Sequence, residues 1–198
     1  MRAVFASRSA HKAEQVALLL PHVSLVPVDD VSPGLVLAEP HDNFEDNALA
    51  KARTAAAATG MPAIADDSGL EVDALGGAPG VWSARYAGEG ASDADNNRKL
   101  VAELRRVPTE PRSCRYRCVA VLVTPEGEEV VAEGECEGVV VLEGRGRFGF
   151  GYDPHVVPRG EKRTMGEIPL EEKLVFSHRG RAFRALAARL EERASKRS

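Results

Sequence analysis

The segment SCRYRCVAVLV, Ser113–Val123, alternates polar and apolar residues and then turns wholly apolar. That is the pattern of a central strand, covered on both faces along its apolar part. Pro125-Glu126-Gly127 supplies a turn, and the chain returns through Val130 and Val131 to about Val141, a hairpin. A strand of this kind needs other strands beside it and further layers over its faces.

The flanking sequence provides both. An apolar run at residues 3–6 precedes polar residues and then Ala13, Val16, Leu19 and Leu20, predicting a strand, a tight connection and an amphipathic helix that Pro21 ends. Residues 24–28 read as a second strand and residues 29–42, rich in prolines and acids, as a loop. Asn43 begins a helix with Asp46 as its capping partner. Leu49, Ala52, Ala55 and Ala56 form its apolar face, and Gly60 is its C-cap. Residues 62–65 read as a short buried strand that ends in the acidic segment Asp66-Asp67-Ser68-Gly69. A glycine-rich connection at residues 76–80 leads to Trp82 and Tyr86, and residues 92–105 form a helix capped by Ser92 with Asp95. A short strand follows at residues 155–157. The last helix starts near Ser177 and buries Phe183, Leu186, Ala187 and Leu190. The expected fold is α/β, a mixed sheet flanked by helices. No repeat or linker divides the chain, so residues 1–198 are expected to form one domain.

With 30 acidic and 26 basic residues the net charge is −4, which disfavours a nucleic-acid partner. The local basic clusters, Arg112, Arg115 and Arg117 and the arginines from Arg179 to Arg197, read mainly as solvated faces. No apolar run approaches the roughly 20 residues a membrane helix needs. The amino end lacks the apolar core of a secretory signal. Cys114, Cys118 and Cys136 are too few and wrongly spaced for a disulfide framework or a zinc site, and read as small reduced residues on strands. A cytoplasmic location is expected.

Four stretches carry chemistry. Asp66 and Asp67 are adjacent, and on a strand adjacent side chains point to opposite faces. One carboxylate can then face a cation while the other fixes the backbone. Glu39 adds a carboxylate just ahead of the second helix. Mg2+ is typically held by one or two carboxylates plus substrate phosphate oxygens. The first turn, Ser7-Arg8-Ser9-Ala10-His11-Lys12, offers free N–H groups, hydroxyls and a lysine to an anion. Without glycine it is not a Walker loop, and an ordinary N-cap by Ser7 or Ser9 explains it equally well. Gly149-Phe150-Gly151-Tyr152-Asp153 lets the backbone approach a flat ligand, with an aromatic face to stack on it. Lys173, His178 and Arg179 are expected to converge on one helix start, where their donors suit keto or phosphate oxygens.

Taken in order, ASRSAHK, NFEDNALAKAR, ADDSGLEVDALGGAPGVWSARYAG, GFGYDP and LEEKLVFSHRGRA resemble the inosine triphosphate pyrophosphatase family, the deaminated-purine nucleoside triphosphate pyrophosphatases. The resemblance runs from residue 6 to residue 182. It implies a long twisted mixed sheet flanked by helices, two lobes with an active-site cleft between them, and a homodimer. It also implies hydrolysis of ITP, dITP and XTP to monophosphate and diphosphate, which cleanses the nucleotide pool, with Mg2+ or Mn2+ as cofactor.

By the same resemblance, Ser7, Arg8, Ser9, Ala10, His11 and Lys12 would line the triphosphate, with Lys12 and Lys51 neutralising it. Glu39 and Asp67 would position the metal, and Asp67 would be the general base. Ser68 would contact the nucleotide. Phe150 would stack on the base, with Gly151, Tyr152 and Asp153 completing that wall, and Lys173, His178 and Arg179 would read the base edge. Ser9 stands where the family usually has asparagine, and Asn43 where threonine is common. The alternatives are a pyrophosphatase for other modified nucleotides and a nucleotide sensor that does not hydrolyse.

Overall fold

The computed structural model describes residues 1–107 and 112–197, excluding the side chains of Lys196 and Arg197. Among the described residues, six strands form one mixed sheet in the order β2-β1-β3-β4-β5-β6: β1 Arg2–Phe5, β2 Ser24–Pro27, β3 Ala63–Val72, β4 Ser113–Val123, β5 Glu129–Val140 and β6 Val156–Pro158. β1 pairs in parallel with β2, Val4 opposite Val26, and with β3, Val4 opposite Ala63. β5 and β6 are antiparallel, with Val139 opposite Val157. The helices are α1 Ala10–Leu19, α2 Val28–Val31, α3 Phe44–Thr59, α4 Asp93–Leu104, α5 Leu170–Phe176 and α6 His178–Arg197. Among the described residues no helix is long and apolar enough to cross a membrane.

Local chemistry fixes most element ends where the sequence places them. The Asn43 side chain accepts from the Asp46 N–H at 2.8 Å, and Gly60 closes α3 in the left-handed conformation, φ 64°. Ser92 and Asp95 form a reciprocal capping box at the start of α4. The hairpin turn is held by Thr124 N–H to the Glu128 carbonyl and Gly127 N–H to the Thr124 carbonyl, at 2.9 and 3.0 Å.

Two expectations are corrected. β3 does not stop at Ala65 but runs on through Asp66-Asp67-Ser68-Gly69 to Val72. Acids followed by Ser-Gly have the composition of a turn, yet here the buried carboxylates find cationic partners, so the strand continues. The loop expected at residues 29–42 begins with the short helix α2. The charged run around Glu171 is the helix α5, whose first turn places Glu171 and Glu172 near the positive end of its dipole.

The chain divides into two compact units. The first comprises residues 1–67, 118–134 and 179–198, and the second residues 68–117 and 135–178. The first has a core of Phe5, Val16, Ile64, Cys118, Leu122, Phe183 and Leu186. The second is built on Leu70, Leu100, Leu104, Tyr116, Tyr152, Val156 and Met165. Cys114, Cys118 and Cys136 are buried thiols on β4 and β5, and burial raises the Cys114 thiol to about 12. The arginines of α6 follow the solvated reading at Arg181, Arg184, Arg189 and Arg193, but Arg179 is buried. The Arg197 side chain lies outside the described residues. Arg115 and Arg117 are half-buried and pair with Glu71 and Asp73.

Candidate active site

In the first unit, Asp66 and Asp67 leave β3 in opposite directions and meet different partners. Asp66 is fully buried and takes Arg179 on one oxygen, at 3.0 Å from Nη2 and 3.2 Å from Nε. Lys12 Nζ lies 3.2 Å from the same oxygen, and the Cys118 thiol donates to it at 3.8 Å. Arg179 is itself held by Gln15 Oε1 at 3.0 Å. Burial pushes the Asp66 carboxyl up, but Lys12, Arg179 and Lys51 outweigh it and hold the group far below the usual carboxylate range.

Asp67 faces α3. Asn47 donates to its Oδ2 at 3.2 Å, and Lys51 Nζ stands 3.5 Å from Oδ1. Lys51 also donates to the Asp66 carbonyl at 2.8 Å and pairs closely with Glu39. Burial raises the Asp67 carboxyl, and the opposing pull of Lys51 does not cancel it. Burial works against the Lys51 charge, yet Asp67 and Glu39 prevail and strengthen it. Three cations, Lys12, Lys51 and Arg179, thus stand among three carboxylates, Glu39, Asp66 and Asp67.

At the start of α1, Ser9 is the N-cap and accepts from the Lys12 N–H at 3.3 Å, while Ser7 Oγ accepts from the Ser9 N–H at 3.3 Å. The capping reading of this turn is therefore realised, and it sets the backbone that carries Lys12. Arg8 is turned toward α2, where it forks onto Asp29 and donates to the Leu35 carbonyl at 2.7 Å. Ala10 and His11 are exposed on the first turn.

The second unit gathers the aromatic loop. Asp153 is its anchor: Oδ2 accepts from Lys173 Nζ at 2.8 Å and from the Phe150 N–H at 3.4 Å, and Oδ1 accepts from the Tyr116 hydroxyl at 3.1 Å. Gly151 is fixed at both backbone groups, its N–H to Asp93 at 2.6 Å and its carbonyl to Asn97 at 2.8 Å. Tyr152 is buried and donates to the Ser83 carbonyl at 2.8 Å. The His178 ring stacks on Tyr116, with centroids 4.7 Å apart and planes within 14°. Gly149 has φ 79°, and a Cβ there would overlap Asp153 Oδ2 and come within 2.5 Å of Lys173 Nζ. Only glycine leaves room for that ion pair. Ser68 and Phe150 are half-buried.

Lys173, His178 and Arg179 do not share one helix start. Lys173 lies within α5, whereas His178 and Arg179 open α6, and Arg179 is engaged with Asp66 in the first unit. Several residues that shape these clusters escape a reading for reactive groups. Asn47 is one: it stands four positions before the already named Lys51 on α3, hence on the same helix face, and both are buried. A polar residue recurring on an apolar face is the signal that could have found Asn47, and the same argument applies to Gln15 beside Val16. Tyr116 carries no such signal, because an aromatic at an inward strand position reads as core. Among the described residues no three His, Cys, Asp or Glu side chains gather into a metal cage.

The fold and these side chains define an open mixed-sheet α/β protein with a cluster of lysines and carboxylates around Lys51 and Asp67. The chain belongs to the Ham1 family, whose model matches residues 3–189. It is 46% identical over 187 residues to the dITP/XTP pyrophosphatase of Geobacter sulfurreducens, covering 93% of this chain and 94% of that one. The dITP/XTP pyrophosphatase of Nocardia farcinica is 47% identical over 190 residues, covering 93% and 92% of the two chains. Among solved structures, a HAM1 protein from Coxiella burnetii superposes with a TM-score of 0.89 at 37% identity, covering 97% of this chain and 99% of that one.

Proposed function

We propose that this protein is a nucleoside triphosphate pyrophosphatase that hydrolyses deaminated purine nucleoside triphosphates, ITP, dITP and XTP, to monophosphate and diphosphate. The observation that carries this reading is the joint hold of Lys51 on Asp67 and Glu39, beside a second cation, Lys12, on Asp66. Membership of the Ham1 family and its dITP/XTP pyrophosphatase relatives supply the substrate class.

Glu39 and Asp67 offer hard oxygen donors that meet at one ammonium, and among the described residues no dedicated metal cage surrounds them. That donor set fits Mg2+, which takes one or two carboxylates and completes its shell with water and phosphate oxygens. Bound there, Mg2+ or Mn2+ would neutralise phosphate charge and polarise the phosphorus under attack. Lys12 and Lys51 neutralise the triphosphate, with the N–H groups of the first turn of α1 and the Ser7 and Ser9 hydroxyls along its path. Asp67 orients the attacking water and accepts its proton, aided by burial that raises its proton affinity. Attack falls on the α-phosphorus and diphosphate leaves, so no covalent nucleophile is required.

Phe150 stacks on the base, Ser68 and the backbone of Gly151 and Tyr152 border it, and Lys173 and His178 read its edge. Asp153 aims Lys173. Arg179, tied to Asp66, serves the reaction by holding that carboxylate and Lys12 in place. Hypoxanthine and xanthine present an oxygen at position six, an acceptor for Lys173, whereas adenine presents a donor there. An unpaired buried polar group costs about 1–3 kcal/mol, more for a charge. The working assembly we assign is a homodimer.

Diphosphate release tests the reading. Inosine and xanthine triphosphates should be cleaved with Mg2+ and not after chelation, with monophosphate as the other product. Release of inorganic phosphate and a nucleoside diphosphate instead would contradict it.

A further inference from the structure

Tyr116 touches both elements that meet the base in the second unit, yet its own hydroxyl is spent inside the protein. It lies on β4 in the unit's core and is almost fully buried. A buried tyrosine hydroxyl needs an acceptor, and here the acceptor is Asp153 Oδ1 at 3.1 Å. Burial, and next the Asp153 charge, push the phenol well above its ordinary value, so it stays a donor.

The two oxygens of Asp153 thus have separate duties. Oδ1 is pinned by Tyr116, and Oδ2 holds Lys173 and the Phe150 N–H. The final torsion of an aspartate is soft, so without the phenol bond the carboxylate plane is free to turn, carrying Lys173 and the Phe150 backbone with it. Gly149 bounds the Lys173–Asp153 pair, and nothing larger than hydrogen fits there. Through its ring the same tyrosine seats His178 in a near-parallel stack.

We propose that Tyr116 is a positioning residue for purine selectivity: by fixing Asp153 and seating His178 it sets where Lys173 and His178 present their donors to the base edge. The inference rests on reading this unit as the base-binding part. Discrimination between an oxygen and an amino group requires donors placed to a fraction of an ångström, so a residue that never meets the substrate governs the choice.

Tyr116→Phe removes one oxygen and keeps the ring over His178. The measurements are kcat and KM for inosine and adenosine triphosphates, inhibition by inorganic triphosphate, and the melting temperature. The expected result is a KM for inosine triphosphate raised about tenfold, equivalent to about 1.4 kcal/mol, with kcat within twofold. The preference over adenosine triphosphate should fall by a similar factor, and inhibition by inorganic triphosphate, which has no base, should be unchanged. Unaltered selectivity overturns the proposal. So does a variant that misfolds, or one that loses all activities in parallel with its melting temperature, since Tyr116 is then only structural. Should the wild type cleave no triphosphate, the functional reading fails, and binding of inosine monophosphate by calorimetry takes over. Affinity about tenfold weaker in the variant then supports the role of Tyr116, and equal affinity overturns it.

Discussion

Asp67→Asn is expected to lower turnover of inosine triphosphate by about 10²–10⁴-fold, the span that a positioned general base contributes, while KM changes by no more than a few-fold. Asparagine has nearly the same shape, and its one carbonyl oxygen can keep one of the two contacts, with Asn47 or with Lys51, which holds the side chain in place. What disappears is the negative charge. The amide cannot accept the proton of water and is a poorer donor to a divalent cation. Because Lys51 retains Glu39 and the Asp66 carbonyl, the cation that meets the triphosphate stays fixed, and binding survives. Steady-state kinetics on the purified variant, with inosine triphosphate affinity measured separately, check both halves. Turnover within a few-fold of wild type would remove Asp67 from the reacting centre.

Asp66→Asn should damage stability instead. The side chain is wholly buried and neutralises Arg179 and Lys12 together. Removing one partner of a buried ion pair leaves the other uncompensated and costs about 3–5 kcal/mol. For a chain of this size each kcal/mol moves the melting midpoint by about 2–4 °C, so a fall of roughly 6–20 °C is expected by calorimetry. The sign with pH follows from the direction of the shift. The folded carboxyl is held far below its ordinary 3.8, so its contribution is complete above that value and is lost as pH falls toward the folded one. Wild type should therefore lose stability below about pH 4 through a component that Asp66→Asn lacks, narrowing the gap between them in acid. A midpoint within 2 °C of wild type at neutral pH would show that the ion pairs do not sustain the unit.

These two neighbouring acids also mark how far sequence carries. Determinants that act over one turn of chain were legible: the Asn43 and Ser92 caps, the Gly60 terminus, and the hairpin between β4 and β5. Each depends on residues within a few positions of one another. The continuation of β3 through Asp66 and Asp67 was not, because it depends on Lys12, Lys51 and Arg179, which come from three distant helices. The same holds for Arg179, whose place beside His178 in the chain suggested a shared task, although its charge is committed to Asp66. Lys12, Glu39, Lys51 and Asp67 could be named because the stretches that resemble a known family carry them or stand beside them. Asn47, Gln15 and Tyr116 were not named, since their importance lies in which polar group they hold.

Selectivity between inosine and adenosine triphosphates is the most direct measurement of all. With saturating Mg2+ and diphosphate release as the readout, kcat/KM for the inosine substrate should exceed that for the adenosine substrate by about 10²–10⁴-fold, the scale on which a polar site rejects a mismatched hydrogen-bonding edge. Equal values, or a preference for adenosine triphosphate, would contradict the assignment of Lys173 and His178 as readers of an oxygen-bearing purine.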